Sequence, residues 1–276
     1  MVVRLVHIPD GSLYHSEPPP EMFGNAANLR QPNWTNDNWL KSRFHFSFAE
    51  YHNPSNDHFG CLRVMNDDLV QPQRGFGMHP HRDMEIITYI VEGFLTHQDS
   101  MNRGVAQRIG RGSVQFMTAG TGVRHSEHNL EDAPLRFVQV WVMPAERGLQ
   151  PRYGGFDGAE PAAVASRKNA LAHIVGDARA GTSAPVGIRQ DCNFHVSELD
   201  AGKTVKFTLN AGRQAYILCV EGALELTGAV DTALQLQRHD AVECRGDGEL
   251  NIACASGHTA SHLLLIEMKH GSGGRR

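Results

Sequence analysis

Met78-His79-Pro80-His81-Arg82-Asp83-Met84-Glu85 is the stretch that decides the fold. It follows Arg74-Gly75-Phe76-Gly77 and leads into the apolar run Ile86-Ile87-Thr88-Tyr89-Ile90-Val91. Side chains alternate with period two along a strand, so His79 and His81 should project from one face. Imidazole is the commonest protein ligand for a transition metal. The stretch therefore predicts half of a metal site on a β-strand, and the rest of the chain should supply the other half.

A second ligand-type pair at the same spacing, His125 and Glu127, follows the Gly-rich turn Thr118-Ala119-Gly120-Thr121-Gly122. If both pairs point into a barrel, three imidazoles and one carboxylate form the shell. That donor set suits iron(II), manganese, cobalt, nickel or copper, and the lack of thiolate disfavours structural zinc. Such a centre carries a net charge near +1 and, if octahedral, keeps two positions for substrate or dioxygen. Glu85 falls in register with His79 and His81, so a site with Glu85 in place of Glu127 is the competing geometry. With 16 histidines some pairs arise by chance, and His97, His128, His173 and His195 read as ordinary surface or satisfied core residues. Phe76, Met78, Phe116 and Trp141 are either cavity lining or core, core being the default for such side chains.

Around these motifs the chain reads as many short strands between Gly turns, the pattern of a sandwich or barrel. Phe44, Phe46 and Phe48 alternate with His45 and Ser47 as one strand, Gly60 to Met65 forms another, and Asn66-Asp67-Asp68 reads as a turn. Asn102-Arg103-Gly104 reads as a further turn, and Leu135 to Val142 as the strand that closes this half. Residues 1 to about 30, Pro-rich near Pro18-Pro19-Pro20, read as an extended arm, and the composition near Pro144 to Glu160 suggests a linker. Tyr89-Ile90-Val91-Glu92-Gly93 is echoed by Leu218-Cys219-Val220-Glu221-Gly222 with near-equal onward spacing to the turns at Arg111-Gly112 and His239-Asp240, which suggests two copies of one barrel. We expect domains at 1–150 (metal-binding barrel with its arm) and 151–270 (second barrel), with a flexible tail at 271–276.

Composition sets outer bounds. The 276 residues are 41% hydrophobic and 20% charged, with 28 glycines and 13 prolines, which favours globular β architecture over helical bundles. A net charge of −4 offers no general attraction to nucleic acid or anionic lipid. No signal peptide or membrane-length apolar segment is read. Five cysteines without CxxC spacing suggest free thiols in a reducing compartment, so a cytoplasmic location is expected, with a nuclear one open.

The residues also carry a resemblance. His79-Pro80-His81-Arg82-x-x-Glu85 with Glu92-Gly93 resembles the first cupin motif, and Gly112 through Gly120 with His125 and Asn129 resembles the second. Gly75-Phe76-Gly77-Met78-His79-Pro80-His81, Glu85 to Tyr89, His97-x-Asp99-Ser100 and Gly122-x-x-His125-Ser126-Glu127 are similar to the pirin family. The likeness runs from about Asn33 to Met268 and is looser in the second half. Thr118 stands where cupins usually have proline, and four residues separate Gly120 from His125 instead of two; both suit pirins. The resemblance implies an all-β bicupin, two facing jelly-roll barrels in one chain, with one metal, iron(II) foremost and manganese, nickel, cobalt, copper or zinc as alternatives. Carried over by position, the metal ligands are His79, His81, His125 and Glu127, with Glu85 beside the metal. His79 and His81 correspond to Thr208 and Asn210 in the second half, and the other ligand positions fall near Ala253 and Ala255. That barrel should therefore lack a site, and His258 and His262 do not rebuild one.

The implied activity is a quercetin 2,3-dioxygenase-type oxygenation of a small aromatic enol by dioxygen, with Glu127 or Glu85 as the catalytic base. The alternative implied by the same resemblance is a non-enzymatic, iron-dependent transcriptional co-regulator that binds a protein partner. A basic surface at Arg103, Arg108, Arg111 and Arg124 would favour that alternative. Direct nucleic-acid or membrane binding is not expected, and the chain is expected to be a monomer.

Overall fold

The computed structural model describes residues 2–18, 39–101 and 105–271. Asn102, Arg103, Gly104, most of the Pro-rich arm and the tail beyond Gly271 lie outside them. The described residues are nearly all β, with one short α-helix among them at Pro161–Arg167. No helix among the described residues is long and apolar enough to cross a membrane.

The chain forms two compact units, residues 14–58 with 62–160, and residues 1–13 with 59–61 and 161–276. The unit carrying the histidine pairs has a seven-stranded sheet in the order Arg152–Phe156, Val114–Thr118, Glu85–Glu92, Leu135–Val142, Leu62–Val70, Leu40–Phe44, Tyr14–Ser16. Its four-stranded sheet runs Arg74–His81, Val123–Asn129, Phe94–Asp99, Gln107–Gly110. Phe76 from the smaller sheet meets Phe137 from the larger one, and Trp39 just before its strand Leu40–Phe44, edge-on at 6.5 and 5.5 Å, so the two sheets enclose an interior between their inner faces.

The other unit repeats the plan. Its seven-stranded sheet runs Val3–Ile8, Ala241–Gly246, Arg213–Glu221, Ala260–Lys269, Cys192–Asp200, Ala172–Asp177, Val186–Ile188, and its four-stranded sheet runs Thr204–Leu209, Gly248–Cys254, Ala223–Gly228, Leu234–Gln237. The repeat extends to single hydrogen bonds. Gly112 N–H donates to Ile90 O, and His239 N–H donates to Cys219 O, each at 2.8 Å and each from a left-handed residue with φ of 76°. Gly93 and Gly222 are also left-handed, and a Cβ there would lie 2.5 Å from Pro134 O or 2.2 Å from Ala260 O, so both copies require glycine.

Several expectations are corrected. The strand Leu40–Phe44 ends before Phe46 and Phe48, which continue into a turn. Asn66-Asp67-Asp68 is no turn but the middle of the strand Leu62–Val70: all three side chains are buried, and both carboxylates are partnered across strands. Asp67 pairs with Arg136 at 2.7 Å, and Asp68 accepts from Ser42. The segment read as a linker contains the strand Arg152–Phe156, paired to Val114–Thr118. The arm holds the strand Val3–Ile8, which pairs with Ala241–Gly246 because fully buried Val3 belongs to the second unit's core. The unit boundaries thus differ from a single cut near residue 150.

Candidate metal centre

The strand Arg74–His81 pairs antiparallel with Val123–Asn129, setting His79 directly opposite His125. A bulge follows, so that Glu127 stands opposite Phe76. This irregularity turns Phe76 onto the same face as His79 and His81, against strict alternation. The three imidazoles converge, with His125 Nε2 3.0 Å from His79 Nε2 and 2.9 Å from His81 Nε2. They are the one group of three ligand-type side chains with metal-binding proximity among the described residues.

The donor chemistry fits a cation. His79 Nδ1–H donates to Gly77 O at 2.7 Å, which fixes the tautomer and leaves Nε2 with a lone pair. His125 Nε2 holds either one proton or one in-plane lone pair, never both, yet faces two nitrogens, and His79 Nε2 can only accept, so the two short contacts cannot both be ordinary hydrogen bonds. Separations of about 3 Å suit nitrogens that would share one cation at bonds of about 2.1 Å. Burial holds all three imidazoles neutral: His79 is lowered, with Arg124 adding to the effect and the Gly77 bond opposing it; His81 is lowered to about 4, with His79 contributing; and His125 is lowered far more, its imidazole neighbours adding to burial. Neutral imidazole is the metal-binding form.

Glu127, the expected fourth ligand, is fully enclosed but lies outside this tight group. Its Oε1 accepts from Gln115 Nε2 at 2.8 Å and lies 3.2 Å from Thr88 Oγ1, and its Oε2 accepts from Gln139 Nε2 at 3.2 Å. Burial pushes its pKa up to about 7 against the opposing effect of those hydrogen bonds. Nearby Asp68 is raised to about 8, again chiefly by burial.

Glu85 is placed elsewhere. A turn with left-handed Asp83 separates the strand ending at His81 from the one beginning at Glu85, and it resets the side-chain alternation. Glu85 pairs with Thr118 in register and accepts from Thr118 Oγ1 at 2.8 Å. Thr88, three residues on, reaches Glu127 from the opposite face of that sheet. The expectation that Glu85 shares the inward face with the histidines is therefore corrected.

A cavity of about 160 Å³ opens on His79, His81 and Glu127. Its walls include Phe44, Phe48, Phe76, Phe137 and Trp141, with Ser42, Asn66, Asp68 and Gln139 as polar members. Phe76 and Trp141 are thus lining, whereas Met78 is exposed and Phe116 is buried in the sheet. Sequence reading missed Asn66, Asp68, Gln115 and Gln139. The signal for Gln139 was a lone amide at the inward position of Phe137-Val138-Gln139-Val140-Trp141.

His97 is neither a surface residue nor a satisfied core one. It is buried, stacks parallel on Tyr153 at 4.8 Å, lies 5.4 Å from the His125 ring, and its Nε2 has no hydrogen-bond partner. Burial lowers it to about 4, with Asp99 opposing. Tyr153 OH lies 3.4 Å from Gln115 Oε1, which links this side of the centre to the clamp on Glu127. His173 and His195 stack on each other at 4.7 Å in the second unit.

The second unit has no comparable centre among the described residues. Thr208 and Asn210 are exposed, and the inward positions of their strand are the apolar Val205, Phe207 and Leu209. His262 is buried against Glu221 at 2.9 Å, and His258 is exposed. The basic residues described at the surface are locally engaged: Arg108 pairs with Glu131 and lies over Phe94, Arg111 donates to Val91 O, and Arg124 donates to Met78 O.

Fold and site together define a protein of two cupin domains, one of them carrying a histidine metal-type cluster. The family model described as Pirin matches residues 27–142, and that of the quercetinase C-terminal cupin domain matches residues 177–268. A Pseudomonas aeruginosa protein, provisionally named a quercetin 2,3-dioxygenase, is 39% identical over 235 residues, 84% of this chain and 94% of its own. A protein of Escherichia coli K12 named quercetin 2,3-dioxygenase is 36% identical over 223 residues, 79% and 91% of the two chains. A crystal structure of a bacterial pirin from Escherichia coli in complex with nickel(II) superposes with a TM-score of 0.75 at 29% identity, covering 97% of this chain and 100% of that one. The chain belongs to the pirin family.

Proposed function

We propose that the protein is a metal-dependent dioxygenase of the quercetin 2,3-dioxygenase type, acting on a flavonol or related aromatic enol with dioxygen as co-substrate. The observation that carries this reading is the convergence of three neutral imidazoles on an aromatic-walled cavity beside a buried carboxylate. His79, His81 and His125 would hold one divalent metal, iron(II) foremost, with manganese, nickel, cobalt, copper or zinc as alternatives. When bound, the metal supplies Lewis-acid and redox chemistry at the enol oxygen.

The chain's own residues do the rest. Phe48, Phe76, Phe137 and Trp141 offer flat apolar surfaces that hold an aromatic ring and exclude water. Glu127 accepts the substrate's hydroxyl proton at a carboxylate oxygen, and the amides of Gln115 and Gln139 orient that carboxylate. The enclosed volume lies below the usual range for drug-sized ligands, so the chelating enol ring enters and the remainder of a flavonol stays toward the mouth. Five cysteines left as thiols support a reducing, cytoplasmic setting, and we take the working form to be a monomer. Among the described residues, no contact specifically supports the alternative of a co-regulator docking a protein partner.

The test is reconstitution of the metal-free protein with iron(II), manganese, nickel, cobalt or copper, following flavonol absorbance and oxygen uptake beside His79→Ala. Turnover that depends on both metal and His79 is expected. Metal binding without turnover for any of the five metals would sink the catalytic reading and leave the metal centre standing.

A further inference from the structure

Cys61 is the one cysteine of the five that is not buried. It closes the short segment Phe59-Gly60-Cys61, which belongs to the second unit although its neighbours in sequence belong to the first. The segment is firmly seated. Phe59 meets Tyr216 edge-on at 5.6 Å and lies under the Arg245 guanidinium at 5.0 Å. Gly60 is left-handed with φ of 58°, a conformation that favours glycine, and its bare Cα packs close against the ends of the Gln214 and Met268 side chains.

This approach builds a cluster of sulfur atoms. Cys61 Sγ lies 3.8 Å from Met268 Sδ. Met268 stands directly opposite Cys192 across the antiparallel pair formed by Cys192–Asp200 and Ala260–Lys269, and both residues are completely buried. The Cys61 side chain also acts on the Cys192 thiol, adding to burial in raising its pKa. One reachable thiol therefore sits beside one enclosed thiol, the arrangement of an oxidisable cysteine with a resolving partner. The remaining cysteines, Cys219, Cys244 and Cys254, belong to the apolar core of the unit.

We propose that Cys61 and Cys192 form an oxidant-sensitive thiol pair that hydroperoxides convert to an intramolecular disulfide. In the first step the Cys61 sulfur attacks the outer peroxide oxygen: the O–O bond breaks, the sulfur is oxidised to a sulfenic acid, and the peroxide is reduced to water or an alcohol. In the second step the Cys192 sulfur displaces hydroxide from Cys61, and the hydroxide leaves as water with the Cys192 proton. Burial, reinforced by Cys61, Glu267 and Asp191, holds the Cys192 thiol protonated, so the second step is the slow one. The bond would tie the Phe59–Cys61 segment to its unit and close a long loop, which restrains the unfolded chain.

The test uses the full chain exposed to hydrogen peroxide, followed by alkylation in denaturant and peptide mass spectrometry, with thermal unfolding of the oxidised and untreated chains measured in parallel. The expected result is loss of two alkylatable thiols, a mass lower by two hydrogens, a Cys61–Cys192 cross-linked peptide that dithiothreitol reverses, and a higher unfolding midpoint for the oxidised form. Cys61→Ser, at the partly exposed position, should leave Cys192 fully alkylatable after peroxide. Cys192→Ala should stop at a sulfenic acid on Cys61 that dimedone traps. Accumulation of sulfenic or higher acids on wild-type Cys61 with Cys192 still alkylatable, or a cross-link joining other cysteines or two chains, would overturn the proposal.

Discussion

His125 Nε2 lies 3.0 Å from His79 Nε2 at directly opposed positions of two antiparallel strands. Opposed residues of neighbouring strands have their Cβ atoms held at a spacing set by the sheet, so the ladder brings the two imidazoles within reach and the rotamers close the remaining distance. Register thus delivers two of the three candidate ligands, and His81 joins them by alternation from His79.

That arrangement leads to the first prediction. His125→Ala removes the nitrogen shared by both short contacts, and its effect should exceed the roughly 10–100-fold loss typical of changes outside the ligand shell. We expect nickel(II) or iron(II) affinity to fall by more than about 100-fold by equilibrium titration. The rise in unfolding midpoint on adding metal should disappear with it, since stabilisation follows the ratio of free metal to dissociation constant.

Glu85 and Glu127 should separate cleanly. Glu127 lines the cavity, whereas Glu85 bonds Thr118 on the other face of its sheet. Glu127→Gln is expected to lower kcat by about 10²–10⁴-fold, the usual worth of a positioned base. Glu85→Gln should stay within a few-fold of wild type in kcat, and both variants should retain metal on the three histidines. Equal losses from the two substitutions in steady-state flavonol assays would contradict this placement.

Asp67 and Arg136 form a bidentate pair, Nε to Oδ1 at 2.8 Å and Nη2 to Oδ2 at 2.7 Å, with both side chains almost wholly buried. Asp67→Asn leaves the guanidinium charge uncompensated, and urea denaturation should show a loss of about 3–5 kcal/mol. Replacing both partners together by apolar residues should recover much of that loss.

This pair also shows where sequence reading reaches its limit. His79, His81 and His125 were legible because period-two spacing survives as long as a strand is unbroken. Glu85 was misplaced because three residues, with Asp83 in the left-handed region, turn the chain and reset the alternation, a change that spacing alone does not reveal. Asn66-Asp67-Asp68 has the composition of a turn, yet each side chain is buried in a strand, since tertiary partners override local propensity. Tyr153 lay in a stretch whose glycines suggested a linker; pairing with Val114–Thr118 depends on residues some forty positions away and leaves no local trace. The second barrel was legible from one pentapeptide because left-handed glycine after a Glu is a backbone requirement repeated in both copies.

The last prediction concerns acid stability in the second unit, away from the metal centre. Burial, with His173 stacked alongside, lowers His195 from 6.5 to about 4, while Glu267 acts in the opposite direction. Its Nδ1 is buried without a hydrogen-bond partner, so the neutral ring has little to gain from a proton. Between these two pKa values the unfolded chain binds a proton at this position that the folded chain does not. Stability therefore rises with pH in that window: the contribution is complete above about 6.5 and is lost as pH falls toward 4. His195→Gln removes the titration. Relative to its own value at pH 7.5, the variant should retain up to about 2 kcal/mol more stability than wild type at pH 5. Urea denaturation of both proteins at the two pH values measures this double difference, which cancels the constant cost of the lost stacking. A difference of zero would mean that His195 titrates alike in the folded and unfolded chains. A negative difference would mean that Glu267 outweighs burial and that the imidazole is charged in the folded protein.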